Sequence, residues 1–200
     1  MCRRFFPALL LACVFLALRG TLAHSADLSC GLKGEFLFTG FTGNHSSLNG
    51  FSGRDGNGLA LGGFVRMSWK EVLAVHTDLL FVYKTDHYKN SATGEALNLG
   101  YLYLEMPVLI NVLFSIPVRN RIVARLFGGP YTGLLLHTSR DARESGITLK
   151  PFDFGIVVGM GIDVQSLQFE FSHSVGLVPL SEGLEFDTHA VTIGVRIGKR

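Results

Sequence analysis

Charged side chains occur at alternate positions within apolar segments of this sequence, and ion pairing is the chemistry that they could perform. Alternate residues of a β-strand point to the same face, so each strand would project its charges to one side. Cations and anions are nearly balanced, and we expect them to meet in a shared interior as structural ion pairs. The set is Lys33, Glu35, Arg66, Asp78, Lys84, Glu105, Arg125, Asp153, Asp163, Glu170 and Arg196.

Glu105 and Arg125 are the pair that we expect first, because they lie on consecutive predicted strands. A charge that is buried without a partner is costly. A lumen that excludes lipid must therefore balance its charges whatever the protein does. We interpret the set as a polar core in preference to a transport pathway or a catalytic site.

The residue types also allow a hydrolase site to be tested against the sequence. His76 and Asp78, with His137 and Ser172 or Ser174, supply the residues of a Ser-His-Asp hydrolase. No nucleophile elbow accompanies them, and residue types alone do not make a triad. We predict no catalytic residues and no enzyme.

Metal and cofactor sites are not predicted either. The seven histidines are scattered without metal-ligand spacing. The Gly-Met-Gly segment at 159–161 lies inside a strand pattern with no helix after it, which argues against a dinucleotide loop. We expect Gly155, Gly159 and Gly161 to make room for large side chains in the interior.

The stretch from Asn98 to Phe114 indicates which element positions these groups. Its even positions from Leu102 onward are all apolar, whereas its odd positions include Glu105 and Asn111. A period of two is typical of a strand, and a tilted strand of about 9–11 residues crosses a bilayer. We predict a wall strand of a small transmembrane β-barrel.

Composition favours the same class of protein. The chain is 48% hydrophobic and 17% charged, with 24 glycines, and its mean hydropathy is +0.33. An apolar surplus at alternating positions suits a lipid-facing barrel. The net charge of +2 comes from scattered residues and gives no case for nucleic acid. Cys30 would be the one cysteine after the leader, so no disulfide framework is predicted.

Residues 1–26 are predicted to be a cleaved signal peptide, leaving 27–200 as the barrel domain. Arg3 and Arg4 precede an apolar segment, and small residues follow it. Cleavage is expected after Ala23 or Ala26. An uncleaved anchor is disfavoured because the apolar segment is short. A lipoprotein signal ending at Cys13 is disfavoured because the apolar run continues beyond it.

About eight strands are predicted, joined by alternating long and short connections. This alternation is typical of an up-and-down outer-membrane barrel with short periplasmic turns. Side chains nearly fill the interior of an eight-stranded barrel, so the lumen is expected to be plugged. The predicted surface loops are Thr42–Gly58, Thr85–Leu97, Ser139–Gly146 and Val178–Phe186.

Four segments together resemble the PorT-like outer-membrane β-barrel family. They are YLYLEMPVLINVLF (101–114), RLFGGPYTGLLL (125–136), PFDFGIVVGMGIDV (151–164) and LQFEFSHSVGLVPL (167–180). The resemblance implies an eight-stranded barrel in a Gram-negative-type outer membrane and little about activity. Many such barrels end in an aromatic residue that the assembly machinery reads. Here either that requirement is relaxed or Ile197 substitutes.

The leading hypothesis is a small porin-like outer-membrane barrel whose surface-exposed loops serve recognition or adhesion. One alternative is a narrow channel or carrier for small or hydrophobic molecules. Another is a soluble lipocalin-like binding barrel, which is disfavoured because few residues are charged. The expected partners are outer-membrane lipid, the barrel-assembly machinery and an extracellular ligand of the loops. We expect a monomer that binds no nucleic acid.

Overall fold

The computed structural model describes residues 26–42, 51–69, 72–90, 96–116, 122–139, 150–178 and 185–197. Residues 1–25 lie outside this set, so the signal peptide stays a prediction. Among the described residues, no helix is long and apolar enough to cross a membrane. The strands are β1 (Ala26–Thr42), β2 (Phe51–Trp69), β3 (Leu73–Asn90), β4 (Ala96–Ile116), β5 (Ile122–Thr138), β6 (Phe152–Val164), β7 (Leu167–Gly176) and β8 (Glu185–Ile197).

The strands form one closed antiparallel barrel in chain order. Each strand pairs with the next, and β8 returns to pair with β1 between Cys30 and Thr42. Closure gives every strand a hydrogen-bonded neighbour on both sides, which removes the exposed sheet edges. The predicted eight-stranded up-and-down topology is confirmed.

The outer surface is apolar, and the interior combines buried charged and polar side chains with apolar ones. On β4, Ile110 is 59% exposed, whereas its neighbours Leu109 and Asn111 are buried. The same alternation places exposed Leu, Ile, Val and Phe around the other strands. An apolar outer band is what a bilayer requires. A lipocalin-like barrel would have the opposite arrangement, so that alternative is wrong for the described part of the chain.

Three of the predicted surface loops are partly strand, which corrects the sequence prediction. β2 begins at Phe51 and β3 continues to Asn90, so strand replaces loop at 51–58 and 85–90. Residues 51–54 pair with β3, and residues 85–89 pair with both β2 and β4 except at a register shift between Arg54 and Asn57, so pairing extends these strands whatever their side chains. A Cβ at Gly56 would lie 1.7 Å from the carbonyl oxygen of Thr85. Glycine here permits close strand pairing and does not mark a loop.

Smaller corrections apply at the other ends. β4 begins at Ala96, inside the predicted loop Thr85–Leu97, and β8 begins at Glu185, inside Val178–Phe186. Residues 43–50, 91–95, 140–146 and 179–184 of the predicted loops lie outside the described residues.

Candidate functional site: an ion-paired lumen

Asp163 on β6 is the centre of the first cluster of charges in the lumen. Its Oδ1 accepts a hydrogen bond from Nε of Arg125 at 2.8 Å. Its Oδ2 accepts from Nη1 of Arg66 at 2.5 Å and from Nη2 of Arg196 at 3.1 Å. The three arginines come from β5, β2 and β8, so one buried carboxylate connects four strands of the barrel.

Lys33 on β1 is the centre of the second cluster. Its Nζ lies 2.6 Å from Asp78, 3.1 Å from Glu35 and 3.4 Å from Glu170. Glu170 also accepts a hydrogen bond from Nη2 of Arg125 at 2.8 Å. Glu170 therefore joins the two clusters into one network, in which four cations face four carboxylates.

A third cluster lies nearer the end of the barrel at which the predicted surface loops connect the strands. Nζ of Lys84 donates to Oε1 of Glu105 at 2.7 Å and lies 5.5 Å from the centre of the Tyr103 ring. The Tyr131 hydroxyl donates to Oδ2 of Asp153 at 3.1 Å. Asp153 is thus held by a neutral donor, in contrast to the carboxylates of the first two clusters.

The expected Glu105–Arg125 pair is wrong. Glu105 lies opposite Gly133 on β5, and Arg125 lies opposite Leu113 on β4. The two residues are about eight positions apart along the paired strands, which is about 26 Å at the usual rise per residue. Sequence adjacency of the strands could not supply this register.

All eleven residues of the predicted set lie on lumen-facing positions, and the network reaches every strand. β4 joins it through Asn111, whose Oδ1 accepts from Nη1 of Arg125 at 3.1 Å. Sequence reasoning placed Asn111 on the inward face but missed its role as a partner of an arginine. A neutral amide beside a cation gives no charge signal in the sequence.

Little open volume remains between these groups. Two cavities of about 30 and 40 Å³ lie within the barrel. The larger is lined by lumen charges that include Lys33, Lys84 and Glu105. Each has room for only a few water molecules. For the described residues, the interior is a packed polar core.

Glycines on β6 lie opposite the largest inward side chains of β5. Gly159 pairs with Phe127 and Gly155 with Tyr131. A Cβ at Gly159 would lie 2.5 Å from the Phe127 ring and 2.6 Å from the carbonyl oxygen of Phe171. The expectation that these glycines make room for large lumen groups is confirmed.

Gly159→Ala is therefore expected to lower the free energy of unfolding by about 1–3 kcal/mol, the usual cost of overpacking. Gly128→Ala is the matched control, because the nearest atom to its added Cβ would lie at 3.4 Å. Urea titration of the refolded protein measures both. Equal midpoints for the two variants would contradict the crowding at Gly159.

The hydrolase triad is not assembled by the described residues. His76 contacts Asp78 through Nε2 and packs beside the Phe64 ring, with centroids 5.1 Å apart. The Ser174 hydroxyl donates instead to the backbone oxygen of Thr188 at 3.4 Å. Lys33 occupies the other oxygen of Asp78. The His76–Asp78 pair belongs to the ion network.

A second cluster lies on the outer face, and sequence reasoning missed it. His173 on β7 lies directly opposite His189 on β8, and Asp187 is the next outward residue. Among the described residues these three form a group whose ligand atoms all lie within 4.8 Å of one another. Both histidines stand at alternate positions that face outward on their strands. This alternation was the one indication that the sequence offered. Their proximity depends on the hairpin register.

Comparison with known families decides the class of this barrel. Residues 23–182 match the family described as outer membrane protein beta-barrel domain. The chain belongs to this family. Its closed eight-stranded barrel with an apolar outer surface is an outer-membrane architecture, and the outer membrane is its location. A search of curated proteins found no match.

Several solved structures are similar in fold at low sequence identity. Ail, the attachment invasion locus protein of Yersinia pestis, solved with the heparin analogue sucrose octasulfate, is 9% identical with a TM-score of 0.43. That match covers 86% of this chain and 99% of Ail. LpxR from Salmonella typhimurium is 8% identical with a TM-score of 0.38, covering 82% and 99%. The translocator domain of the autotransporter NalP from Neisseria meningitidis is 10% identical with a TM-score of 0.34, covering 95% and 96%.

Proposed function

We propose that this protein is a closed, monomeric outer-membrane barrel that displays its loops for recognition or adhesion, and that it belongs to the PorT-like group. The observation that carries the proposal is the ion network, which links all eight strands across the lumen. A lumen filled in this way supports a role as a rigid anchor. Binding sites on such scaffolds commonly lie on the connecting loops.

The proposal assigns no enzymatic activity to the barrel. Its buried carboxylates and the His76 imidazole are engaged by partners in the lumen, as described above. In this proposal the wall contacts outer-membrane lipid, the assembly machinery inserts the chain, and the loops contact an extracellular ligand.

Planar-bilayer conductance of the refolded protein tests whether the lumen is closed. We expect no stable single-channel openings, because moving an ion through the lumen would require breaking several buried ion pairs. The matched sample is the same protein unfolded in urea and added without refolding, which reports detergent artefacts. Stable openings of uniform conductance would overturn the proposal and favour the narrow-channel alternative.

Loop replacement tests the recognition role separately. Residues 43–50 and 179–184 are exchanged for Gly-Ser linkers of equal length. Cells that produce the original protein and cells that produce a loop variant are then compared for attachment to protein-coated surfaces. Heat-modifiable gel mobility verifies that the barrel still folds. We expect attachment to fall in the loop variants alone. Unchanged attachment would contradict the assignment of recognition to these loops.

A further inference from the structure

The outward cluster of His173, Asp187 and His189 lies on the outer face of β7 and β8, near the connection between these strands. Below it, Phe171 and Val191 are 50% and 46% exposed. His189 pairs across to Phe38 on β1, which is also exposed, and beyond Phe38 the next strand presents Asn57. On β7 itself, exposed Val175 lies beyond His173, and exposed Leu177 follows the end of the strand. The cluster is therefore an outward polar group on the side of the β7–β8 connection.

Antiparallel pairing brings the three side chains together. His173 and His189 are directly opposite and their rings stack with centroids 4.5 Å apart. Asp187 pairs with Val175, one outward position along β8. Directly opposite and diagonal neighbours on one face of a sheet lie within reach of each other. The strand backbone, and not a loop, sets the positions of the three residues.

The contact between His173 and Asp187 has the separation of two ligands on one metal ion. Nδ1 of His173 lies 3.2 Å from Oδ1 of Asp187. Bonds of about 2.0–2.2 Å in tetrahedral geometry place two ligand atoms about 3.3–3.5 Å apart. Both atoms are shielded from solvent, yet among the described residues neither makes a hydrogen bond of acceptable geometry. An ion between them would satisfy both atoms.

We propose that His173, Asp187 and His189 form a site for a divalent transition-metal ion of the zinc class. Two imidazoles and one carboxylate are ligands that Zn²⁺ accepts, and three protein ligands leave the fourth tetrahedral position open. Two nitrogen donors out of three disfavour Ca²⁺ and Mg²⁺, which take oxygen ligands. The proposal does not depend on whether the loops serve recognition.

The proposed site would fasten β7 to β8 on their outer face, next to the connection between them. Because the three ligands lie on the outer face, the open position would face away from the lumen. An ion would therefore reach the site without passing through the packed lumen.

Isothermal titration of untagged, detergent-solubilised full-length protein with Zn²⁺ tests the site. We expect saturable binding of one ion per chain, and tighter binding of Cu²⁺, following the usual order of affinities. Loss of an outer-shell partner alone costs about 10–100-fold in metal affinity. His189→Ala and Asp187→Asn, which remove ligands, are expected to weaken binding at least about tenfold.

His137→Ala is the matched control, because His137 is an exposed histidine on another strand. Its affinity for Zn²⁺ is expected to equal that of the wild type. All variants are first verified by heat-modifiable mobility, so that loss of binding cannot reflect unfolding. Absence of saturable Zn²⁺ binding by the wild type would overturn the proposal. Undiminished binding by a variant lacking all three side chains would also overturn it.

Discussion

Asp163→Asn is expected to lower the free energy of unfolding by about 3–5 kcal/mol, the usual cost of breaking a buried ion pair from one side. The substitution keeps the size of the side chain but removes the carboxylate that Arg66 and Arg196 both contact. Arg125 would keep Glu170 as a partner. The buried guanidinium of Arg66 would lose the carboxylate with which it forms its ion pair, so the effect should be among the largest of any single substitution in the lumen.

Urea titration in detergent micelles, followed by the fluorescence of Trp69, measures this change. Trp69 is the single tryptophan of the sequence, so the signal has one source. Lys150→Gln is the control, since Lys150 is exposed outside the strands, and substitutions at such positions usually change stability by at most about 0.5 kcal/mol. If both variants unfolded at the same urea concentration, the three-arginine cluster would contribute nothing to stability.

Lys33→Met is expected to cost a similar amount, about 3–5 kcal/mol. The substitution preserves most of the side-chain volume but leaves Glu35, Asp78 and Glu170 facing one another without their shared cation. Mutual repulsion among three buried carboxylates adds to the loss of solvation. The same urea titration applies, with Lys150→Met as the exposed control.

A second substitution separates this electrostatic cause from a packing defect. Asp78 is the carboxylate nearest to Nζ of Lys33, at 2.6 Å. Adding Asp78→Asn to Lys33→Met removes one of the three carboxylates that lost this shared cation, so the double variant should regain part of the lost stability. Strictly additive losses would show that the two residues do not interact, contrary to the described contact.

Glu105 shows what the pattern of a single strand can predict and what it cannot. Period two predicted that Glu105 shares a face with Asn111, because successive side chains of a strand point to opposite faces. The low charge content favoured placing that face in the lumen, where the structure has it. The partner of Glu105 is Lys84 on β3 and not Arg125 on β5. Choosing between these needs the register of both neighbouring strands, which is a property of the closed sheet.

Pairing between strands, and not the local sequence pattern, also decides where strands end and which outward side chains meet. Glycine, asparagine and serine between Thr42 and Gly58 are typical of a loop, but pairing with β3 extends β2 back to Phe51. His173 and His189 are far apart along the chain, and only the pairing of β7 with β8 makes them neighbours.

The sequence by itself determined the strand class, the number of strands and which side chains share one face of a strand. All of these follow from the local alternation of side chains and from composition. The tertiary structure alone decided which charges meet, how far the strands extend and which outward side chains converge. Those outcomes depend on register and closure, which arise from backbone hydrogen bonds between strands and leave no local pattern in the residues.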